Sequence, residues 1–191
     1  RRILPSPATG SAASLRSVTQ GPEEAYDPIL RHCAGCQDDN PQSGGGSGSQ
    51  GGIMPIYGGL MVDLKRLNKV IEINETAGTV TAQAGINGFD LETTLNEAGW
   101  TLPHYPASVH SATLGGYLAC RGSGTISTKY GKAEDMVLSM EVVLPNGDII
   151  RTLPVPNHAA GPGILQLFVG AEGSYGIITE ANLIVGTTNN N

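Results

Sequence analysis

Charged and aromatic side chains are both scarce in this chain. Of its 191 residues, 15% are charged and 5% are aromatic, with one tryptophan and two phenylalanines. The formal net charge of −6 argues against a general nucleic-acid-binding or acidic-membrane surface, since both of these partners attract basic proteins. No apolar run has the length of a membrane-spanning helix, and Arg1 to Pro5 lack the apolar core of a signal peptide. We therefore expect a loop-rich globular protein.

Cysteine is scarce as well, and the three examples are Cys33, Cys36 and Cys120. An odd and small number favours a reducing compartment, the cytoplasm or an organelle matrix, over a disulfide framework. Cys33 and Cys36 form a C-x-x-C pair beside His32, which could be half a zinc site or a redox pair. No second pair or spaced histidines complete a zinc set, and no βαβ pattern surrounds a redox motif. We expect two ordinary thiols near a helix end and no metal site.

Glycine, by contrast, is abundant at 27 residues, and six of the nine residues from Gly44 to Gly52 are glycine. Such a backbone can approach a ligand closely, and its N–H groups can surround an anion such as a phosphate. The segment fits G-x-G-x-x-G, but a dinucleotide fingerprint needs a strand before it and a helix after it. Residues 37–42 are polar, and Pro55 would break a helix. A phosphate-binding loop of another family and a flexible linker, native or engineered, remain, and we favour the first.

The hydrophobic pattern predicts a β-rich chain with helices inserted. Phe89, Leu91 and Leu95 are spaced to form one buried side of a helix that Gly99 ends. Helices are predicted near residues 22–33, 88–98, 113–119 and 164–169. Strands are predicted near residues 60–64, 70–73, 79–84, 137–144, 149–150 and 176–185, with hairpin turns at 74–78 and 145–148. Because helices and strands do not alternate regularly, the expected fold class is α+β with mixed or antiparallel sheets.

Four clusters of small residues follow one another, at 44–52, 106–116, 120–124 and 170–179. Together they resemble the FAD-binding domain of the vanillyl-alcohol oxidase/p-cresol methylhydroxylase (PCMH-type) superfamily. The likeness is strongest to its alkylglycerone-phosphate synthase and glycolate/D-lactate oxidase branches. The most specific segment, Gly170 to Ala181, is similar to the family's G-S-E-G-T-L-G-V-I-T-E-A. Further matches are Thr113-Leu114-Gly115-Gly116, Tyr130-Gly131 and Glu134-Asp135, while Arg121-Gly122-Ser123-Gly124 and Gly161-Pro162 resemble the synthase-like branch.

The resemblance implies two α+β subdomains with FAD between them, formed by residues 44–186. Residues 1–43 would be an arm and helix, and residues 187–191 a polar tail. The family pattern implies that the pyrophosphate is wrapped by Gly44, Gly45, Gly46, Ser47 and Gly48. Residues implied along the pyrophosphate and flavin are Pro106, Ala107, Ser108, Ser111, Thr113, Gly115 and Gly116. Those implied near the flavin ring are Cys120, Arg121, Gly122 and Ser123, and those near the adenosine or ribityl side are Glu172, Gly173, Gly176, Ile177 and Ile178.

The function implied by the resemblance is that of a FAD-linked oxidoreductase. Its substrate would be a 2-hydroxy acid or, in the synthase-like branch, a glycerone-phosphate ester. No histidine lies in the glycine loop, so the family pattern implies non-covalent FAD. The family places substrate binding in a second domain, so we expect a FAD domain without that cap, completed by further sequence or a partner subunit. The alternative is a non-catalytic binding or structural module that keeps the fold. Catalytic residues are unassigned, although His110 in the implied flavin loop is the best histidine candidate.

Overall fold

A computed structural model of the chain describes residues 42–54, 61–156 and 158–188. The predicted helix at 22–33 and the pair Cys33 and Cys36 lie outside the described residues. The strands are β1 (Gln42–Ser43), β2 (Val62–Asp63), β3 (Val70–Asn74), β4 (Thr79–Gln83), β5 (Trp100–Thr101), β6 (Val137–Val143), β7 (Ile149–Arg151), β8 (Ile177–Ile184) and β9 (Gly186–Thr187). The helices are α1 (Gly88–Glu97), α2 (Leu114–Ala119), α3 (Ser127–Tyr130), α4 (Ala133–Met136) and α5 (Leu165–Phe168).

The largest sheet has five strands in the order β3-β4-β8-β6-β7, and every neighbouring pair is antiparallel. Its central strand, β8, buries Ile178, Ala181 and Leu183, so the sheet is apolar where helices cover it. Val80 of β4 and Val142 of β6 join them in the main core. This arrangement confirms the α+β class predicted from the sequence.

Both predicted hairpins are present, and their turn residues show why. The β3–β4 turn is closed by the Asn74 side chain, whose Oδ1 accepts from the Ala77 N–H at 2.9 Å, and Gly78 has a φ of 62°. The β6–β7 turn places Gly147 at a φ of 93°. A positive φ suits glycine, so these turns follow from local sequence.

Helix α1 begins at the Asn87 cap, whose Oδ1 accepts from the Phe89 N–H at 2.8 Å, and Gly99 follows it with a φ of 81°. Leu91 and Leu95 are fully buried, as predicted, but Phe89 is 44% exposed, so the prediction that it shares their side is wrong. Residues two positions apart do not face the same way on a helix, whereas Leu91 and Leu95 are four apart.

Several short elements were missing from the sequence prediction. Strand β1 pairs with β2 in parallel, although the residues just before the glycine loop are polar. Such pairing needs only backbone hydrogen bonds, and no apolar side chain. Strands β5 and β9 pair antiparallel across the fold, and α3 and α4 are single helical turns. Two-residue strands and one-turn helices carry no readable hydrophobic period, and tertiary contacts decide them. The limits predicted for the FAD domain, 44 and 186, stay a prediction.

Two kinds of feature are absent from the described residues. No helix in that part of the chain is long and apolar enough to span a bilayer. The same residues contain no cluster of three or more histidine, cysteine, aspartate or glutamate side chains arranged to hold a metal ion.

Candidate functional site

The glycine loop lies directly against the turn that precedes α2. A Cβ atom added at Gly45 would lie 2.5 Å from the carbonyl carbon of Ser111 and 2.9 Å from Cα of Ala112. One added at Gly44 would meet the Thr113 side chain, with the Thr113 Cβ at 3.4 Å and its hydroxyl oxygen closer still. No side chain fits at Gly45, because the two backbone segments touch there, and one at Gly44 would displace the Thr113 side chain. The structure thus joins two of the four small-residue clusters.

The loop also offers unused backbone donors. Within the part of the chain that the structure describes, the N–H groups of Gly45, Gly46, Ser47 and Gly48 have no protein acceptor. Gly45 is half-buried and the other three residues are exposed. Gly46 has a φ of 65°, so the loop turns in a conformation that glycine adopts readily. A row of free amides on a turn of this kind is suited to an anion.

The start of α2, which the resemblance places along the pyrophosphate and flavin, uses its amides within the protein. The Leu114 N–H donates to the Ile86 carbonyl at 3.0 Å, and the Gly115 N–H donates to the Ala84 carbonyl at 2.7 Å. The Gly116 N–H donates to the Thr113 hydroxyl at 3.4 Å. The first two bonds hold α2 against the segment after β4 and the third caps the helix, so these three N–H groups are already used within the protein. A cofactor role for Thr113, Gly115 and Gly116 stays a prediction. Gly115 is needed because a Cβ there would lie 2.9 Å from the Ala84 Cβ.

Asn87 organises the turn at 108–113, and the sequence analysis did not single it out. Its Nδ2 donates to the carbonyl of His110 at 3.0 Å while its Oδ1 caps α1. The Gly88 N–H donates to the Ala112 carbonyl at 3.0 Å. An asparagine just before a predicted helix is a recognisable cap, but its second partner, 23 residues away, has no sequence signal. His110 itself is exposed, and its ring packs on Phe89 at 4.6 Å.

The turn itself is tied together by the carbonyl of Ser108, which accepts from the N–H groups of Ser111 and Ala112 at 2.9 and 2.8 Å. The Ser111 hydroxyl also donates to this carbonyl at 3.1 Å. Pro106 is buried and Ala107 is exposed. The turn therefore presents Ser111 to the glycine loop from a fixed backbone.

The cluster at 170–179 reaches the glycine stretch through Glu172. A Cβ added at Gly52 would lie 2.9 Å from Glu172 Oε2. Glu172 is exposed and has a φ of 48°, which is unusual for a residue with a side chain. Its N–H donates to the carbonyl of Ala119 at 3.1 Å, so the loop at 170–173 is attached to the end of α2. Residue 173, the next glycine, is half-buried.

The cluster at 120–124 follows α2. Cys120 is exposed, but partial desolvation and the nearby Glu172 carboxylate, in that order, raise the pKa of its thiol, so its reactive thiolate is disfavoured. Arg121 has a φ of 51°, and its guanidinium contacts Glu134 and Gln166. The Gly122 N–H donates to the Tyr117 carbonyl at 2.7 Å. Ser123 is exposed.

The remaining predicted residues pack into the sheet. A Cβ at Gly176 would lie 2.7 Å from Val142 Cγ1, so close packing on β6 leaves no space for a side chain at this position. Ile178 belongs to the main core, and Ile177 packs against a small cluster around Leu67 and Val143. Their observed contacts are structural, and a role toward a cofactor stays a prediction.

Against the cluster at 120–124 lies a buried pair of aromatic side chains that the sequence did not single out together. His104 and Tyr117 are each 4% exposed, and their ring centroids are 4.6 Å apart. Neither ring nitrogen of His104 nor the Tyr117 hydroxyl has a hydrogen-bond partner among the described residues. Burial lowers the pKa of His104, and burial followed by the influence of Tyr105 raises the pKa of Tyr117 to about 12. Both side chains are therefore neutral at physiological pH.

Comparison with known proteins points in one direction. The family model described as FAD binding domain matches residues 40–153. Alkyldihydroxyacetonephosphate synthase of Trypanosoma brucei brucei is 36% identical over 143 residues, which cover 72% of this chain and 23% of that protein. Glycolate oxidase subunit GlcD of Bacillus subtilis (strain 168) is 40% identical over 139 residues, covering 72% of this chain and 30% of that protein.

The fold is shared with a solved structure of an alkyldihydroxyacetonephosphate synthase. The TM-score is 0.78 at 34% sequence identity, and the match covers 87% of this chain and 31% of the other. The chain thus spans less than a third of the length of these relatives. The similarity concerns the part of them that corresponds to the fold described above.

Proposed function

Because the chain belongs to the FAD binding domain family, of the PCMH type, we propose that it holds FAD non-covalently as the cofactor-binding part of a FAD-linked oxidoreductase. The observation that supports this most is the glycine loop. Its amides at Gly45 to Gly48 have no acceptor within the described residues, and its backbone is pressed against Ser111 and Ala112. A diphosphate needs several such donors at once, and a loop without side chains allows it close approach.

The charges around the loop suggest how the cofactor is oriented. Glu172 lies at the Gly52 end of the glycine stretch, and a carboxylate repels phosphate but accepts hydrogen bonds from hydroxyl groups. We therefore assign the diphosphate to the end at Gly45 to Gly48. Glu172 would accept from a ribose or ribityl hydroxyl. The chain's overall negative charge gives little long-range attraction for FAD, so affinity depends on these local donors.

When bound, FAD supplies a ring that accepts and returns an electron pair. The part that this chain plays is to hold and orient the cofactor. The two substrate classes that we propose are 2-hydroxy acids and glycerone-phosphate esters, since relatives of both kinds are similar to this chain. Burial disfavours the charged forms of His104 and Tyr117, so we place no acid–base role on this pair.

The test is to purify the 191-residue chain, incubate it with FAD and remove free ligand on a desalting column. We expect flavin absorbance to elute with the protein, and acid precipitation to release FAD into the supernatant. ADP should compete with FAD much better than adenosine does, because the glycine loop binds the diphosphate, which adenosine lacks. A colourless protein, or equal competition by adenosine and ADP, would contradict the proposal.

A second measurement separates an enzyme from a non-catalytic binding module. The FAD-loaded chain is mixed with D-lactate or glycolate and a dye acceptor. Dye reduction identifies a hydroxy-acid oxidoreductase. FAD retention without turnover favours a holding module, or a chain that relies on other parts of a longer protein. The binding module is worth testing because the amides at the start of α2 are used to hold the fold itself.

A further inference from the structure

Arg121 ties together three segments of the chain that are far apart in sequence. It follows α2 in a left-handed conformation, with a φ of 51°, which brings its side chain back over the protein. Its Nη1 donates to Oε1 of Glu134, in α4, at 3.3 Å, and its Nη2 donates to Oε1 of Gln166, in α5, at 3.3 Å. Both ends of the guanidinium fork are therefore engaged. Together with Lys132, which also pairs with Glu134, these residues form the Arg121 cluster: Arg121, Lys132, Glu134 and Gln166.

Glu134 is the buried anchor of the Arg121 cluster. Its side chain is 10% exposed, against 42% for Arg121 and 46% for Lys132, whose Nζ lies 2.7 Å from Glu134 Oε1. Burial on its own would raise the pKa of Glu134, but hydrogen bonds and charges from Lys132 and Arg121 outweigh it and lower the pKa. Glu134 Oε2 is buried without a partner among the described residues. The carboxylate therefore depends on cations at its other oxygen, and loss of one leaves a poorly compensated buried charge.

The Arg121 side chain also covers the loop that carries Glu172. A Cβ added at Gly170 would lie 2.5 Å from Arg121 Nε and 2.8 Å from its Cδ, so the arginine stem packs directly on the glycine backbone. Beneath it, the Gly170 N–H donates to the Leu118 carbonyl at 2.9 Å. Two residues later the chain reaches Glu172, beside Gly52. Arg121 thus lies over the junction between α2 and the segment that reaches the glycine stretch.

We propose that Arg121, anchored by Glu134, is a positioning residue for the cofactor site: it fixes the loop at 170–173 against α2 and so sets Glu172 beside the glycine stretch. The inference rests on the proposed function, because it concerns the same site. Arg121 acts through Gly170 and Glu172, since both ends of its guanidinium already have protein partners.

The test compares two arginine–glutamate pairs. Arg121→Met keeps the stem that packs on Gly170 but removes the charge. Arg151→Met is the matched control, because Arg151 pairs with Glu141, whose side chain is 6% exposed, between β6 and β7. Arg121→Lys restores the charge without the fork that reaches two partners.

Measurements are FAD affinity, the visible circular dichroism of bound flavin, and thermal unfolding without FAD. We expect Arg121→Met to raise the Kd for FAD about tenfold, with Arg121→Lys in between, and to change the dichroism at saturating FAD. Arg151→Met should lower the unfolding temperature while changing the Kd by less than about twofold. Should Arg121→Met not fold, Glu134→Gln, which keeps size and shape, takes its place.

The outcomes separate this inference from the function that it rests on. If the unsubstituted chain binds no FAD, the proposed function fails, and this inference fails with it. If the chain binds FAD but Arg121→Met binds it equally well with the same dichroism, this inference alone is overturned. It is also overturned if both methionine variants weaken binding in proportion to their loss of thermal stability, because the Arg121 cluster would then be a general stabilising element.

Discussion

Replacing Gly45 by alanine should separate the glycine loop from the turn at 111–113 while leaving the rest of the fold in place. The new Cβ would lie 2.5 Å from the Ser111 carbonyl carbon and closer still to the carbonyl oxygen, where ordinary van der Waals contact begins at 3.4 Å, so the loop must retreat by more than about 0.9 Å. The obstacle is backbone, which cannot rotate away as a side chain could. Gly45 has no positive φ, so alanine causes no backbone strain and steric contact is the whole perturbation. Overpacking of this kind costs about 1–3 kcal/mol.

The cost should appear in FAD affinity, because the same loop carries the free amides. We expect a Kd about 5- to 150-fold higher for Gly45→Ala, measured by titration of flavin fluorescence. Gly163→Ala is the control: it lies outside the glycine loop, has no positive φ, and a Cβ there meets nothing within 4 Å. Its effect should stay within about 0.5 kcal/mol. Equal weakening by both variants, or unchanged affinity in a folded Gly45→Ala protein, would refute the reasoning.

Three further predictions concern buried or partly desolvated groups. Burial lowers the pKa of His104 from its ordinary 6.5, so the unfolded chain binds the proton more readily than the folded chain. The free energy of unfolding should therefore fall as pH drops below about 6.5. Denaturant titrations at several pH values should show a smaller decrease for His104→Leu. Tyr117→Phe removes a buried hydroxyl without a partner, so its free energy of unfolding should change by less than about 0.5 kcal/mol or rise, and a larger loss in urea denaturation would contradict this. Cys120 should be alkylated at pH 8 more slowly in the folded than in the unfolded chain, as followed by mass spectrometry of its peptide; equal rates would show that its raised pKa does not limit the reaction.

Local sequence predicted the elements whose causes are local. The turns closed by Asn74 and Gly147 and the end of α1 at Gly99 each depend on one residue type in one backbone conformation. The prediction for Phe89 was wrong because residues two positions apart on a helix face different sides, and the structure leaves it exposed against His110. Strand β9 escaped prediction because its partner, β5, lies 86 residues earlier and neither has a hydrophobic period.

The sequence by itself determined the α+β class, the FAD-binding family and the glycine loop as the place to look, because composition, turn residues and ordered small-residue motifs are local properties. Only the tertiary structure decided which backbone amides are free. It shows those of Gly45 to Gly48 without acceptors in the described chain and those of Leu114 and Gly115 engaged with Ile86 and Ala84. A hydrogen-bond donor looks the same in every sequence, and its availability depends on what folding brings beside it.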